Sequence, residues 1–127
     1  MMKMKIAVLV LLSTFFASVA TAGYQDVGGF ASNNERVYAS LSAFGGDAFA
    51  QTGVNDVGPI GVDLTVYHSI WTSTGWQQTV TTVSDYEPFN GVAQASINVS
   101  LGTNAYSYHY YSPVGYGTWT ASAFTSF

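Results

Sequence analysis

Residues 92–101 read VAQASINVSL, and apolar and polar side chains alternate along this stretch from Ala93 onward. The positions of one parity are all apolar, namely Ala93, Ala95, Ile97, Val99 and Leu101. The positions between them carry Val92, Gln94, Ser96, Asn98 and Ser100. Because successive side chains of an extended chain point to opposite faces of a sheet, this alternation predicts a β-strand with one buried and one hydrated face.

The same reading of the remaining chain predicts about seven strands and no amphipathic helix. The predicted strands cover residues 35–44, 47–52, 60–70, 76–84, 92–101, 104–111 and 116–125. Turn-forming residues separate them, as in Gly45-Gly46. This pattern predicts an all-β fold, a small antiparallel β-sandwich of the immunoglobulin-like or jelly-roll-like type. The Cys-Trp-Cys spacing of immunoglobulin domains is absent, so the strand count indicates an architecture and no function.

The N-terminal residues have the pattern of a secretory signal peptide over residues 1–22. A basic start, MMKMK, precedes a short apolar run, and Ala20-Thr21-Ala22 supplies small residues for cleavage. We therefore expect a mature chain from Gly23, with a Gly-rich flexible arm at 23–34 and one sandwich domain at 35–127. The expected location is secreted or extracellular, including the periplasm and the cell surface, with no transmembrane segment in the mature chain.

The charge balance of the expected mature chain excludes several classes of partner. Arg36 is its only cation, against seven carboxylates, so its formal net charge is −6 compared with −4 for the whole sequence. Such a chain cannot neutralise a row of phosphates or approach an anionic lipid surface electrostatically. We therefore expect no nucleic-acid partner, and expect instead a protein or glycan at the cell surface, or a second copy of the chain.

The sequence lacks the residues on which most catalytic and cofactor sites depend. It contains no cysteine, and no G-x-S-x-G or phosphate-binding motif occurs. We therefore predict a non-enzymatic protein with no cofactor. Metal sites are also poorly supported, because His68 and His109 are the only histidines and have no evident third ligand. Asp85 and Glu87 are weak calcium candidates without the usual calcium-loop spacing.

The stretch SIWTSTGWQQTV at residues 69–80 predicts a hairpin with two alternative registers. A loop of residues 72–75 would place Trp71 opposite Trp76. A loop of residues 71–75 would place Ile70 opposite Trp76, and it would pair more apolar side chains across the hairpin. We favour the second register, which makes Trp76 a core residue and Trp71 an exposed candidate for binding a glycan or a protein.

The stretch AYSYHYYSPVGYG at residues 105–117 supplies the other binding candidates. Tyr106, Tyr108 and Tyr110 share one face of the predicted strand, and Ala105, Ser107, His109 and Tyr111 share the other. A row of tyrosines can form a sugar platform or an assembly interface, and Tyr111 is included as a candidate. The alternative is a central strand whose tyrosines pack inward.

These features predict a secreted, non-catalytic β-sandwich that acts by binding or self-association at the cell surface or in the extracellular matrix. In the self-association hypothesis, the arm at 23–34 adds to a neighbour's sheet edge. Alternatives are a secreted bacteriocin-like effector and a carbohydrate-binding module. A small outer-membrane β protein is a further hypothesis, because the terminal Phe127 resembles the end of such chains, but their strands need more residues than are present.

Overall fold

The computed structural model describes residues 23–56 and 58–127, so the predicted signal peptide lies outside the described residues. In these ranges the chain forms nine strands and no helix that could cross a membrane. The strands are β1 (Tyr24–Asp26), β2 (Gly29–Phe30), β3 (Arg36–Phe44), β4 (Asp47–Val54), β5 (Ile60–Thr72), β6 (Gly75–Glu87), β7 (Val92–Asn98), β8 (Gly102–Tyr111) and β9 (Trp119–Ser126).

The strands form two antiparallel sheets that pack face to face. The first sheet has the order β1-β3-β4-β7, with β2 also paired to β3, and the second has the order β6-β5-β8-β9. All seven predicted strands are present. The predicted all-β fold, a small antiparallel sandwich, is thereby confirmed.

Small aliphatic side chains fill the space between the sheets. Val37 and Leu41 from the first sheet and Ile60 and Leu64 from the second are completely buried, and many of their neighbours are alanines. Tyr111 is the only fully buried aromatic side chain in the ranges that the structure describes. Since burial of the aliphatic side chains forms the core, nearly all of the aromatic side chains are left on or near the surface.

Residues 92–101 behave as predicted over most of their length. Ala93, Ala95, Ile97 and Val99 are buried, but Leu101 is 46% exposed, so its predicted burial is wrong. β7 ends at Asn98, and the chain then turns toward β8. The apolar–polar alternation of the sequence continues beyond Asn98, but the chain there is no longer a strand. The alternation therefore no longer predicts which side chains are buried.

The predicted flexible arm at 23–34 is instead held against β3 by two short strands. Gln25 of β1 lies opposite Leu41 of β3, and Gly29 of β2 lies opposite Val37 of β3. Between them, the Val27 amide donates to the Ala39 carbonyl at 2.9 Å. This edge of β3 offers unpaired backbone donors and acceptors, and the segment that precedes it in sequence satisfies them.

The favoured register of the β5–β6 hairpin is wrong. Trp71 lies opposite Trp76 and Thr72 lies opposite Gly75, leaving Ser73 and Thr74 as the turn. Trp76 is therefore not a core residue: its side chain is 60% exposed.

His68 is bonded across the hairpin to a threonine of β6. The Nε2 atom of His68 lies 2.9 Å from Oγ1 of Thr81, and Gln78 donates to Thr103. The apolar-pairing argument failed because β6 is an edge strand whose inner face is only partly covered, so threonines are tolerated there. The turn is set locally by Thr72, whose Oγ1 accepts a hydrogen bond from the Thr74 amide at 3.2 Å, and by the positive φ of Gly75.

Candidate functional site

The outer face of the second sheet, which points away from the first sheet, collects aromatic side chains from all four of its strands. Strand pairing places Tyr108 of β8 opposite Asp63 of β5 and Ser122 of β9. We call the aromatic side chains of this face the aromatic band: Tyr67, Tyr86, Tyr106, Tyr108, Tyr110 and Phe124. All except Tyr110 are exposed, and Tyr110 is half-buried.

Five of the six rings of the aromatic band contact a neighbouring ring, which restricts their orientations. Tyr106 lies between Tyr67 and Phe124, with ring centroids 5.5 Å and 4.8 Å apart. The Tyr108 and Tyr110 rings are tilted by 35° with centroids 6.0 Å apart. Rings held in this way lose little conformational freedom when a ligand covers them.

The position of Tyr110 depends on a glycine. Its ring lies across Gly61, the residue opposite it on β5, and a Cβ atom at position 61 would lie only 2.1 Å from Tyr110 Cζ. Burial raises the pKa of the Tyr110 hydroxyl, and the nearby carboxylate of Asp63 raises it further. Tyr110 therefore keeps its proton at neutral pH and remains a hydrogen-bond donor.

A shallow furrow of about 450 Å³ runs beside the band. Its lining combines two tyrosine rings with small polar side chains: Asp63, Thr65, Thr82, Ser84, Tyr106, Ser107, Tyr108, Ser122 and Ala123. The hydroxyls of Thr65 and Thr82 are hydrogen-bonded to each other at 3.0 Å. The furrow thus offers aromatic walls, a floor of hydroxyl groups and one carboxylate to a ligand.

Trp71 lies at the far end of β5 from the furrow. It forms an edge-to-face pair with Trp76, with centroids 5.1 Å apart and planes at 69°. A second depression of about 420 Å³ lies beside this pair and is lined by His68, Ser69, Ile70, Trp71, Trp76, Asn98, Val99, Ser100 and Leu101. The predicted exposure of Trp71 is confirmed, at 68%.

Tyr111 does not share this surface, because its ring is buried between the sheets. Its hydroxyl donates to Oδ2 of Asp56 at 2.9 Å and accepts from Nδ2 of Asn33 at 3.1 Å. Of the predicted binding residues, three tyrosines of β8 therefore come together, Trp71 lies at the other end of the sheet, and Tyr111 is part of the core.

Asp85 connects the two sheets where β6 leads into β7, and Glu87 is bonded within the turn between these strands. Oδ2 of Asp85 accepts from the Gln94 amide at 2.9 Å, and Oε1 of Glu87 accepts from Nδ2 of Asn90 at 2.8 Å. A hydrogen bond with Asp85, together with its negative charge, raises the pKa of Glu87. Within residues 23–56 and 58–127, no three metal-ligating side chains come together, and these two carboxylates make hydrogen bonds within the chain.

His109 is completely buried beneath the outer face and is bonded through both ring nitrogens. Oγ1 of Thr52 lies 2.7 Å from Nδ1 and donates to the Gly61 carbonyl, so Nδ1 carries the proton. Nε2 then accepts from Ser107 Oγ at 2.7 Å. Burial lowers the pKa of His109 to about 4. The His109 imidazole is thus shielded from solvent, and Ser107, its neighbour on the furrow side, is also almost fully buried.

Comparison of this chain with models of known protein families and with the sequences of curated proteins gave no match. The site is therefore defined by its geometry. Sequence reasoning did not identify Tyr67, Tyr86, Phe124 or Asp63 as candidate site residues. Tyr67 and Asp63 share a parity on β5, which was visible in the sequence, but the adjacency of β5, β8 and β9 was not.

Proposed function

We propose that this protein is a secreted, non-catalytic binding protein that holds an extended glycan chain along the outer face of its second sheet. The observation that carries the proposal is the aromatic band beside a hydroxyl-lined furrow. Sugar rings have apolar C–H faces and hydroxyl edges, and tyrosines beside serine and threonine hydroxyls match both kinds of surface.

The distribution of aromatic residues supports this proposal. Most of the described aromatic side chains lie outside the buried core, and several of them lie together on one face. An exposed apolar patch of this kind is typical of an interaction surface. Along β5, Gly61 and Trp71 are separated by about 33 Å at the ordinary rise of a strand, so the face suits a chain better than a single sugar.

Binding to a panel of soluble polysaccharides and glycan oligomers tests the proposal. We expect Tyr108→Ala to weaken binding by about tenfold, or about 1.4 kcal/mol, because an exposed ring in the band is removed. Tyr116→Ala is the matched control, since Tyr116 is also exposed but lies in the loop after β8. Equal losses in the two variants, or no glycan binding by the parent protein, would contradict the proposal.

Self-association through β6 is a second candidate function. Within the described residues β6 pairs only with β5, and its first ten residues, 75–84, contain neither a charge nor a proline. Charges and prolines are the usual protection of a free strand edge. An antiparallel β6–β6 pair of two copies centred on Val80 would place the Asp85 carboxylates opposite Gly75, away from each other.

The solution mass across a dilution series tests this second function. A dimer that becomes a monomer in Val80→Lys, but persists in Val114→Lys, would support pairing through β6. Val114 is a suitable control because it is even more exposed and lies in a loop. A monomer at every concentration would exclude self-association.

Secretion is tested separately by recovering the protein from the culture medium and determining its mass. The proposal expects a chain that begins at Gly23, one residue before β1. Intact residues 1–22 on the recovered protein would contradict cleavage at the expected site.

A further inference from the structure

Asp63 is the only carboxylate on the outer face of β5, and the described protein gives it no hydrogen-bond donor. It lies opposite Ser84 on β6 and Tyr108 on β8, and it is only half-buried in the furrow. Most of the other carboxylates accept a hydrogen bond from the chain: Asp26, Asp47, Asp56, Asp85 and Glu87. Apart from Asp63, only Glu35, beside the turn before β3, has none among the described residues.

No cation of the described chain neutralises Asp63. Arg36, the only basic side chain in residues 23–56 and 58–127 other than histidine, lies on the first sheet between two aromatic rings. Its guanidinium carbon is 5.4 Å from the Phe30 ring centroid and 5.2 Å from that of Tyr38. The carboxylate in the furrow therefore remains available to a positive group from outside the molecule.

Aromatic rings surround this carboxylate on the sheet surface. Tyr106 and Tyr108 line the furrow with Asp63, and Tyr110 lies across Gly61, two residues before Asp63 on the same face. Tyr86 of β6 lies opposite Gly61 on the side of β5 that faces away from β8. A carboxylate among electron-rich ring faces is a suitable environment for an ammonium group, which gains both ion pairing and cation–π attraction.

We propose that the furrow binds a protonated primary amine, and that the preferred ligand of the outer face is a glycan that carries free amino groups. This inference rests on the proposed glycan-binding function and specifies its ligand class. Asp63 pairs with the ammonium group, while Tyr106 and Tyr108 contact the sugar ring that carries it.

The composition of the furrow disfavours a metal ion in the same place. Calcium takes six to eight oxygen ligands and usually several carboxylates. The furrow has one carboxylate, and its remaining oxygen atoms belong to neutral hydroxyls and the backbone. A monovalent organic cation matches the single charge and the aromatic walls.

A pair of ligands that differ only at the amine tests the proposal. Calorimetric titration of the purified protein would compare an oligomer of glucosamine with the same oligomer after full N-acetylation, at a mildly acidic pH that keeps the amines protonated. We expect the amino form to bind at least tenfold more tightly, and this preference to shrink as salt is added.

Two charge variants test whether Asp63 causes the preference for the amino form. Asp63→Asn removes the charge with little change in size and is expected to abolish the preference for the amino form. Asp47→Asn removes the same charge from the first sheet, where Asp47 accepts a hydrogen bond from Asn98, and is expected to keep the preference. A melting curve for each variant at the titration pH shows that it is folded.

The outcomes separate this inference from the function on which it rests. Equal binding of the two oligomers, lost in Tyr108→Ala, would overturn the amine site and leave the glycan platform standing. If the protein binds neither oligomer and no member of the polysaccharide panel, both the amine site and the glycan-binding function are overturned. Binding of an oligolysine peptide through Asp63, without binding of the glucosamine oligomer, would overturn the glycan assignment.

Discussion

At the scale of single residues, Gly61 and Tyr110 show how the outer face depends on one missing side chain. The ring of Tyr110 occupies the space that a Cβ atom at position 61 would need. Gly61 has no positive φ, so any effect of an alanine there comes from contact with the ring and not from backbone strain.

Gly61→Ala is expected to displace the Tyr110 ring and weaken glycan binding several-fold, with a loss of about 1 kcal/mol in the free energy of unfolding. Binding titration and urea unfolding measure the two effects. Gly117→Ala is the control, since a Cβ atom at position 117 would contact nothing within 4 Å. If both variants bind as the parent protein does, the position of Tyr110 is irrelevant to binding.

His109 is a second residue with a large predicted effect, in this case on the pH dependence of stability, because its imidazole is neutral and fully hydrogen-bonded in the core. The folded protein takes up its proton only near pH 4, whereas the unfolded chain does so near pH 6.5. The unfolded state therefore binds more protons between these values, and the free energy of unfolding falls as the pH falls through this window.

We expect a loss on the order of 3 kcal/mol between about pH 6.5 and pH 4, measured by urea unfolding at a series of pH values. His109→Gln is expected to be less stable at neutral pH and to have a shallower dependence on pH in this window. His68→Gln is the control and is expected to retain the slope. A parent protein equally stable at pH 4 and 6.5 would refute the assignment to His109.

At the scale of elements, the β5–β6 hairpin shows local turn chemistry deciding the register. Thr72 Oγ1 donates to the Gly75 carbonyl at 2.8 Å and closes the turn around Ser73 and Thr74. The Trp71–Trp76 pair follows directly from this register. Cross-strand aromatic pairs of this kind contribute about 0.5–1.5 kcal/mol beyond their burial.

Acrylamide quenching of tryptophan fluorescence tests this arrangement. Trp71→Phe and Trp76→Phe are each expected to remove a readily quenched component, because both side chains are exposed. Trp119→Phe is expected to remove the protected component, since Trp119 packs partly buried against the core. A protected Trp76 would restore the alternative register and contradict the structure.

At the scale of the whole molecule, the N-terminal segment closes the sandwich beside β3 and β9. Gln25 of β1 accepts a hydrogen bond from the Phe124 amide of β9 at 2.7 Å, joining the two sheets. The segment therefore covers one edge of the first sheet, and in this position it is not available to a neighbouring molecule.

Removal of residues 23–30 is expected to lower the free energy of unfolding by on the order of 2–4 kcal/mol, since several backbone hydrogen bonds are lost. It is also expected to promote association, because the edge of β3 becomes free. Unfolding titrations and light scattering measure the two effects. If the parent protein associates and this deletion abolishes the association, the result would instead support the hypothesis that the arm at 23–34 adds to a neighbour's sheet edge.

Much of the strand layout was predictable, because apolar alternation is a property of each strand alone. The buried face of β7 was predicted residue by residue, apart from Leu101 beyond the end of the strand. The tyrosines of β8 were correctly placed on one face, but that this face points to solvent was not predicted. Which face of β8 is exposed depends on the first sheet, whose strands β3 and β4 pack against the opposite face.

The all-β class, the approximate positions of seven of the nine strands, the acidic charge and the absence of cysteine follow from the sequence alone, because each is a local pattern or a composition. The tertiary structure decided the hairpin register, the docking of the N-terminal segment and the grouping of Asp63 with Tyr106 and Tyr108. Those features depend on which strands are neighbours, and strand order is fixed by the joint burial of all the apolar faces, which no single segment encodes.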